Sequence, residues 1–563
     1  MLLRNLIALA SFTALSGMSP RADAVQWHIT PVVESGAVTR LDMSLSFPGD
    51  ADGVTEVQLP DEWGGERELY RGLWDIRATG GEVDAASPPG KLVLRHAPGA
   101  HLRLDWKVGS GPDAPDAKLG GNDYRPRFAP DHFYFIGFTV LPQPDSLSET
   151  TAARVTLDRP DGLTLVSDLD HAGPSGRTTF GNLSQSAVFG GNLRLIESGK
   201  ARLALVGTFD TLDDAFWQQT FTAIASAERR YWSSGDEPFL VTVIAEPLEP
   251  GSYSIGGTGL GDAFSLFSGA NMQAEDAAPL IAHEMMHTWI PHRIGRMPEE
   301  DEARHYWLSE GFTDWATFRV LVREGLWSPA DFAKAFNQAA EAFDISPVRT
   351  ATASDIADGF WSSQEMSRLP YQKGMLIAAW LDAGIRGRTK GKSDLDDVLL
   401  RMQRAASRDT DAYAYDLLVR EVKKVAGWDV AAELDAMAMQ GAPVTLAEDT
   451  FAPCGKVTVT AGPIWERGFD FSATAAAGWK IQGVEESSRA YEAGLRNDME
   501  LRSWSEDSRD RTPEKEATAL VTEGDGVRAI TWLPASREDF PVRSLLLADV
   551  ANDAACARRL SGE

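Results

Sequence analysis

Positive charge is scarce in this sequence of 563 residues. Its 54 Lys and Arg stand against 82 Asp and Glu, which gives a net charge of −28 at pH 7. Proteins that bind nucleic acids neutralise phosphates with clustered basic side chains, so this balance argues against a nucleic-acid partner. An acidic surface keeps a chain well solvated and indicates nothing finer about its partners.

Cysteine is nearly absent as well, since the chain has only Cys454 and Cys556. In an oxidising compartment the two could pair and close a loop of about a hundred residues, which the chain-entropy model values at about 4–5 kcal/mol. The sequence gives no distance between them, so a disulfide and two free thiols remain equally open.

Long hydrophobic runs are also missing. A helix needs about 20 apolar residues to span a bilayer; the N-terminal run LIALASFTALSGM is shorter, and no other segment approaches that length. Arg4 precedes this run, and ADA at 22–24 resembles a small-x-small cleavage site before Val25, as in secretory signal peptides. We therefore expect residues 1–24 to be a signal peptide, a periplasmic or secreted location, and no stable membrane insertion after cleavage.

The pattern of hydrophobic residues changes twice along the chain, and 61.2 kDa is enough for two to four domains. Short alternating runs between Gly, Pro and Asp predict antiparallel strands in residues 25–205, as a β-sandwich or barrel. Helical periodicity dominates residues 206–450, where Ser328 and Pro329 predict one helix start. Strand and turn patterns return in residues 451–563. The predicted fold class is therefore multidomain α+β.

The segment LIAHEMMHTWI has the strongest chemical pattern in the sequence. Residues four apart share one face of a helix, so His283 and His287 are expected to point the same way, as two nitrogen ligands of one zinc ion would. Glu284 between them could take a proton from a water molecule that the zinc activates. A helix over about 276–289 is predicted, with Pro279 in its first turn and Pro291 after its end.

A catalytic zinc site needs a third protein ligand, and YWLSEGFTDW supplies a candidate. Glu310 lies among Trp307, Leu308 and Phe312, where an unpaired carboxylate would be costly to bury. Asp314, one helical turn later, could accept the second ring N–H of a zinc-bound histidine. The predicted metal ligands are thus His283, His287 and Glu310, with Glu284 as the general base. The alternatives are core histidines and a solvent-facing Asp314.

These motifs resemble the glycyl aminopeptidase family of gluzincin zinc metallopeptidases. The resemblance is carried by His-Glu-x-x-His, by HTWIPHRI at 287–294 and by Glu310 in WLSEGFT. It implies one zinc ion, peptide or protein substrates, and a thermolysin-like zinc catalytic domain with a helical bundle in 206–450. It also implies an N-terminal β-sandwich-like domain and a C-terminal PDZ-like domain in 451–563.

The resemblance also assigns two further roles. PYQKGMLIAAW is similar to the family's Tyr-x-Lys-Gly helix, which makes Tyr371 the candidate for stabilising the oxyanion of the reaction. The family's amine-binding loop corresponds to SIGGTGLGDAFSLF, where Gly256 and Gly257 echo the substrate-binding pattern but the expected glutamate is missing. The segment DAFSLF is expected to be an edge strand that could align a peptide.

Two functional hypotheses follow from the sequence. The first is an exported zinc metallopeptidase, aminopeptidase-like but with an altered amine-binding loop, whose exo- or endopeptidase action is undecided. The second is a peptide-binding or scaffolding protein on a catalytically retired peptidase fold. Side-chain preference and oligomeric state remain open.

Overall fold

The computed structural model describes residues 25–63, 66–109, 124–248, 254–298, 301–505, 513–524, 526–549 and 554–562. The expected signal peptide, residues 1–24, lies outside the described residues. The chain divides into two compact units. The first contains the described residues up to Ala225 together with Gly235–Ile281, and the second contains Ser226–Ser234 and the chain from Ala282 onwards.

Strands with alternating burial make up most of the first unit, as their period of two predicts. In the first strand, for example, Val25, Trp27 and Ile29 are fully buried and the residues between them are exposed. The strands up to residue 191 are β1 (Val25–Glu34), β2 (Ala37–Pro48), β3 (Val54–Gln58), β4 (Leu73–Thr79), β5 (Gly81–Val83), β6 (Lys91–His96), β7 (His101–Gly109), β8 (Arg127–Phe128), β9 (His132–Ile136), β10 (Gln143–Pro144), β11 (Ala152–Leu157), β12 (Thr164–Ser167), β13 (Arg177–Thr179) and β14 (Ala187–Gly191).

These strands form three sheets, in the orders β13-β11-β1-β2-β7-β4, β10-β3-β6-β5 and β12-β14-β9-β8. Buried side chains from all three sheets meet in one hydrophobic core. Their neighbouring strands pair antiparallel, as expected, with one exception: β11 lies parallel to β1. A long connection between them allows the parallel pairing, whereas a hairpin would not.

A mixed sheet completes the first unit. Its strands are β15 (Arg194–Ser198), β16 (Ala201–Val206), β17 (Phe239–Glu246), β18 (Ile255–Gly259) and β19 (Ala263–Gly269), in the order β15-β16-β17-β19-β18. The sheet continues across residue 205, where the change of hydrophobic pattern suggested a boundary. The expectation that DAFSLF forms an edge strand is wrong, because β19 pairs on both sides and β18 is the outer strand. All seven residues of β19 are buried, as an inner strand requires.

Helices dominate the second unit. Ser328 caps the sixth helix, with Pro329 at its first position, as predicted. The α-helices in the described residues are α1 (Gly137–Val140), α2 (Phe180–Ser184), α3 (Asp214–Tyr231), α4 (Ala274–Met286), α5 (Tyr306–Arg323), α6 (Pro329–Ile345), α7 (Ala353–Gly359), α8 (Gln364–Thr389), α9 (Leu395–Ala406), α10 (Ala414–Ala426), α11 (Ala431–Leu434), α12 (Phe471–Ala476), α13 (Arg489–Glu492) and α14 (Ala554–Ser561). Buried side chains of α5, α6, α8, α9 and α10 belong to one core. In the part of the chain that the structure describes, no helix has the length and apolar character needed to cross a membrane.

The last strands follow this bundle. They are β20 (Gly455–Trp465), β21 (Leu501–Trp504), β22 (Ala517–Glu523), β23 (Gly526–Trp532) and β24 (Ala535–Leu547), paired as β20-β24 and β21-β22-β23. A small separate core lies beneath the three-stranded sheet. Cys454 and Cys556 are both buried and form a disulfide, which answers the question that the sequence left open.

Candidate metal centre

The last turn of α4 and the tighter turn that follows it present the two histidines to one point. Helix α4 starts at Ala274, two residues earlier than expected, so Pro279 lies inside it rather than in its first turn. It ends at Met286, and the chain continues through tighter turns, in which the amide of His287 donates to the carbonyl of Glu284 over 3.3 Å. The two imidazole rings still lie together, with their centroids 4.8 Å apart and their planes nearly perpendicular.

Helix α5 brings a carboxylate to the same point. Glu310, the fifth residue of α5, has its Oε2 atom 3.3 Å from Nε2 of His283 and 3.5 Å from Nε2 of His287. One potential ligand atom from each of these three residues lies within 4.8 Å of the others, so the group could hold a metal ion. The structure thus brings together the three residues that the sequence nominated from two separate segments.

The outer nitrogens of the two rings are already engaged. Nδ1 of His283 lies 2.7 Å from Oδ1 of Asp314, and Nδ1 of His287 lies 2.7 Å from the carbonyl oxygen of Ile290. A carbonyl only accepts hydrogen bonds, so the proton of a neutral His287 must reside on Nδ1. Each ring can therefore turn the lone pair of Nε2 towards Glu310, which is the arrangement that zinc-binding histidines adopt. This donor set fits a zinc ion.

Electrostatics distinguish the members of the centre. Burial disfavours the charged form of each histidine, but the charge and hydrogen bond of Asp314 outweigh it at His283 and hold that pKa well above its ordinary value. Burial also opposes ionisation of Glu310, yet the two histidines more than compensate and lower its pKa. The carboxylate is therefore charged, and binding of a metal ion would release the protons that the raised pKa values keep on His283 and His287.

Glu284 lies between the two histidines in sequence, but its carboxylate does not contact them as Glu310 and Asp314 do. Burial raises the pKa of its carboxyl group, against the opposing charges of His283 and His287. Within the described residues, the Glu284 side chain makes no hydrogen bond, whereas Glu310 and Asp314 each contact a histidine. Its carboxylate thus stands beside the centre with its oxygens available to a substrate or a water molecule.

Tyr371 reaches the centre from α8, as the eighth residue of that helix. Its ring stacks beside that of His283, with 5.9 Å between the centroids and 27° between the planes. Burial raises the pKa of its hydroxyl well above the usual value, and the negative charges of Glu310, Glu284 and Asp314 add to this effect. The hydroxyl therefore keeps its proton and can donate a hydrogen bond at neutral pH.

Two glycines set the distance between α5 and α8, and the sequence analysis missed their role. A Cβ on Gly311 would lie 2.3 Å from Cα of Gly374, and one on Gly374 would lie 2.0 Å from the carbonyl oxygen of Trp307. The helices thus pack backbone against backbone, one residue after Glu310 and three after Tyr371. The glycines in SEGF and YQKG were the available signal, since glycine is required where two backbones approach closely.

Lys373, between Tyr371 and Gly374, has a structural position. Its side chain is fully buried and its Nζ donates to the carbonyl oxygen of Ala351 over 2.9 Å. Burial lowers the pKa of the amine to about 8. The lysine therefore ties α8 to the segment before α7.

The two glycines nominated for substrate binding lie in the other unit. Gly256 and Gly257 belong to the outer strand β18. A Cβ on Gly257 would lie 2.4 Å from the ring of Phe264, and its carbonyl oxygen accepts a hydrogen bond from the Tyr124 hydroxyl over 2.7 Å. The glycine at 257 thus has a packing reason of its own, and the part of both glycines in substrate binding stays a prediction.

Residues 276–376 match the family model described as M61 glycyl aminopeptidase. The resemblance to the glycyl aminopeptidase family is confirmed. The matching segment runs from α4 into α8 and contains His283, Glu284, His287, Glu310 and Tyr371. A comparison of the whole chain with curated proteins finds no match.

Solved structures show what the fold is similar to. An aminopeptidase N family protein from Idiomarina loihiensis is 15% identical with a TM-score of 0.65, covering 92% of this chain and 98% of its own. An M1 zinc metallopeptidase from Deinococcus radiodurans is 13% identical with a TM-score of 0.45, over 75% of this chain and 94% of its own. Yeast LTA4 hydrolase is 13% identical with a TM-score of 0.44, over 75% of this chain and 68% of its own. The first of these shows that the chain has a multidomain α+β fold of the aminopeptidase N kind.

Proposed function

We propose that this protein is an exported zinc metallopeptidase that hydrolyses peptide bonds. The observation that carries the proposal is the convergence of His283, His287 and Glu310 within 4.8 Å, inside the segment that matches the glycyl aminopeptidase family. These three residues would hold one zinc ion. When bound, zinc would polarise the substrate carbonyl and lower the pKa of a water molecule to about 7.

Glu284 is the proposed general base and acid. Its carboxylate lies on the same turn as the ligands and makes no hydrogen bond within the described residues, so an oxygen is available to take a proton from the attacking water. The same oxygen would return that proton to the leaving nitrogen, because peptide cleavage releases an amine that must be protonated.

Tyr371 is the proposed donor to the tetrahedral oxyanion. A donor that is already placed for the transition state commonly contributes about 10²–10³ in rate. The stacking of its ring beside His283 and the close packing of α5 and α8 hold the hydroxyl at the centre, and its raised pKa keeps the proton on the oxygen.

The substrate is proposed to be a peptide or protein whose free amine is not strictly required. The family's amine-binding glutamate is absent from SIGGTGLGD, and an ammonium ion needs a paired carboxylate when it is desolvated. The outer position of β18, with Gly256 and Gly257, supports main-chain pairing with an extended peptide as one way to align it.

Export and domain organisation are proposed alongside this chemistry. A signal peptide in 1–24 would send the protein to the periplasm or outside the cell, and the disulfide between Cys454 and Cys556 supports an oxidising compartment. An N-terminal β-sandwich-like domain in 25–205, a thermolysin-like catalytic domain in 206–450 and a PDZ-like domain in 451–563 remain the proposed boundaries.

The missing glutamate also supports the alternative, a peptide-binding protein that has lost catalysis, and one experiment separates the two. Glu284→Gln is expected to retain zinc and lose at least about 10²-fold in kcat, whereas His287→Ala is expected to lose zinc. Glu365→Gln, an exposed surface change, serves as the control. Zinc content is measured by elemental analysis and turnover on free-amine and N-blocked versions of one peptide. A Glu284→Gln protein with full activity would refute the mechanism, and zinc-loaded wild type that binds peptides without cleaving any would favour the alternative.

A further inference from the structure

Trp361 is the most exposed large hydrophobic residue among those described, with 83% of its surface accessible. It lies in the short connection between α7 and α8. The amides of Ser362 and Ser363 both donate to the carbonyl oxygen of Gly359, over 3.1 and 3.0 Å. The backbone that carries the indole is therefore a hydrogen-bonded turn that holds the ring out into solvent.

The indole is the outer end of a row of three aromatic rings. Its centroid lies 4.9 Å from that of Phe360, which lies 4.8 Å from that of Tyr306, and both pairs meet edge to face. Phe360 is half-buried and packs against the core of the helical bundle. We call Tyr306, Phe360 and Trp361 the aromatic row.

The inner end of the row borders the metal centre. Tyr306 is the first residue of α5, four residues before Glu310, so the two side chains share one face of that helix. The row thus leads from the centre to solvent.

The negative charge around Trp361 limits the kinds of partner that could bind there. Asp358 and Glu365, three and four residues away along the chain, are both exposed, and the whole chain carries a net charge of −28. Anionic lipid surfaces and a second copy of this chain would both be repelled. A segment of polypeptide substrate without net negative charge is not, and its apolar side chains can bury against an indole that is 83% exposed.

We infer that the aromatic row is an extended subsite that binds one aromatic or large apolar side chain of a polypeptide substrate. The inference rests on the proposed peptidase function and specifies its substrate class. Centroid separations of 4.9 Å and 4.8 Å along the row, followed by one helical turn of about 5.4 Å from Tyr306 to Glu310, limit the distance from Trp361 to the centre to roughly 15 Å, which an extended peptide spans with roughly four to five residues. The subsite therefore acts away from the cleaved bond and favours polypeptides over di- and tripeptides.

The test uses ten-residue, alanine-rich peptides with a fluorescent label, in which a single Phe or a single Lys is moved from position to position. Binding is measured by anisotropy to the zinc-loaded protein carrying Glu284→Gln, and kcat/KM is measured with the otherwise wild-type protein. Each is repeated with Trp361→Ala, with Trp361→Phe, and with Trp479→Ala, an exposed tryptophan whose ring contacts Phe471 instead.

We expect Phe at one position, several residues from the cleaved bond, to tighten binding and raise kcat/KM by about tenfold over the all-alanine peptide. Trp361→Ala should abolish this preference, Trp361→Phe should retain most of it, and Trp479→Ala should leave it unchanged. A preference that survives Trp361→Ala, that Trp479→Ala also removes, or that favours Lys over Phe would overturn the inference, as would a protein that binds none of these peptides.

The two arms separate this inference from the function on which it rests. Trp361-dependent binding without cleavage by the wild type would leave the subsite standing and refute the peptidase. Cleavage that depends on Glu284 but not on Trp361 would refute the subsite alone.

Discussion

Asp314 fixes the orientation of His283 through the 2.7 Å contact between Oδ1 and Nδ1. The contact sets which ring nitrogen faces the centre and makes the imidazole a better ligand. The orientation of His287 is fixed instead by the backbone carbonyl oxygen of Ile290, which no side-chain substitution can remove. Asp314 is therefore the point at which metal affinity can be tested without touching a ligand.

We expect Asp314→Ala to weaken zinc binding by about 10- to 100-fold, and Asp314→Asn, which keeps an acceptor but loses the charge, to weaken it less. Competition with a chelator of known affinity measures the change. Asp411→Ala is the control, because that carboxylate is 91% exposed. Equal zinc affinity in Asp314→Ala and wild type would show that the contact does not tune the centre.

A second carboxyl group at the residue scale lies in the first unit. Asp168 is buried, and burial raises its pKa to about 7, with the charge of Asp262 adding to the rise and the hydrogen bond from the amide of Ala187 opposing it. Asp262 lies in the segment SIGGTGLGDAFSLF, where the family's glutamate is missing, and its charge acts on the buried Asp168.

The raised pKa makes stability depend on pH. The unfolded chain has a pKa near 3.9 for this group, so the folded protein holds the proton more tightly between about pH 4 and 7. The stabilisation is therefore complete below about pH 4 and is lost as the pH rises through about 7. Asp168→Asn should remove this pH-dependent loss of stability. The loss amounts to a few kcal/mol, because each unit of difference between the folded and unfolded pKa is worth about 1.4 kcal/mol.

Urea unfolding at pH 5 and pH 8, followed by tryptophan fluorescence, checks this expectation. The stability difference between the two pH values should shrink in Asp168→Asn and stay as in wild type in Asp161→Asn, where the carboxylate is exposed. The same pH difference in Asp168→Asn and wild type would contradict the assignment.

At the scale of elements, the centre depends on the approach of α5 and α8. The metal ligand Glu310 and the proposed oxyanion donor Tyr371 are on different helices, and the contact of Gly311 with Gly374 lets those helices meet. A methyl group at this crossing would meet backbone atoms, which cannot move aside as a flexible side chain could.

We expect Gly374→Ala to force α5 and α8 apart and to lower both the free energy of unfolding, by about 1–3 kcal/mol, and kcat. Gly387→Ala is a matched control on the same helix, since a Cβ there meets nothing within 4 Å. It should be neutral or stabilise by up to about 1 kcal/mol, as alanine favours helix. Thermal unfolding and peptide turnover are measured for both, and identical behaviour of the two variants would refute the crossing as a constraint.

At the scale of the whole molecule, the C-terminal helix is held to the bundle by buried charges and a disulfide. Arg319 of α5 is almost fully buried and bridges Asp382, Asp394 and Asp396 over 2.9–3.4 Å. Arg559 of α14 meets the same Asp382 over 2.8 Å. Buried ions of this kind are costly without partners, so the buried Arg559 depends on Asp382 of α8 for its countercharge, and this pair ties α14 to the bundle.

The Cys454–Cys556 bond closes a loop with a sequence separation of 102 residues. We expect the double variant Cys454→Ala/Cys556→Ala to lose about 4–5 kcal/mol of stability, because the unfolded chain regains the freedom of that loop. Urea unfolding with and without reductant measures it. Reductant should lower the stability of wild type to that of the double variant and leave the double variant unchanged; equal stability of oxidised and reduced wild type would contradict the expectation.

The sequence by itself determined what depends on local geometry. The spacing of His283 and His287 follows from the helical repeat, as does the shared face of Glu310 and Asp314, and the cap at Ser328 depends on its immediate neighbours. The same repeat and the period of two predicted which regions are helical and which are strands. Residue chemistry then indicated which side chains could hold a metal ion.

Only the tertiary structure decided what depends on residues distant in sequence. It paired Cys454 with Cys556, placed β18 rather than β19 at the edge of its sheet, and brought Gly311 against Gly374. It also joined β15 and β16 to β17 in one sheet, across residue 205, where the change in hydrophobic pattern had suggested a domain boundary. Strand order and helix crossings are set by which buried surfaces fit one another across the fold, and no local pattern encodes that fit.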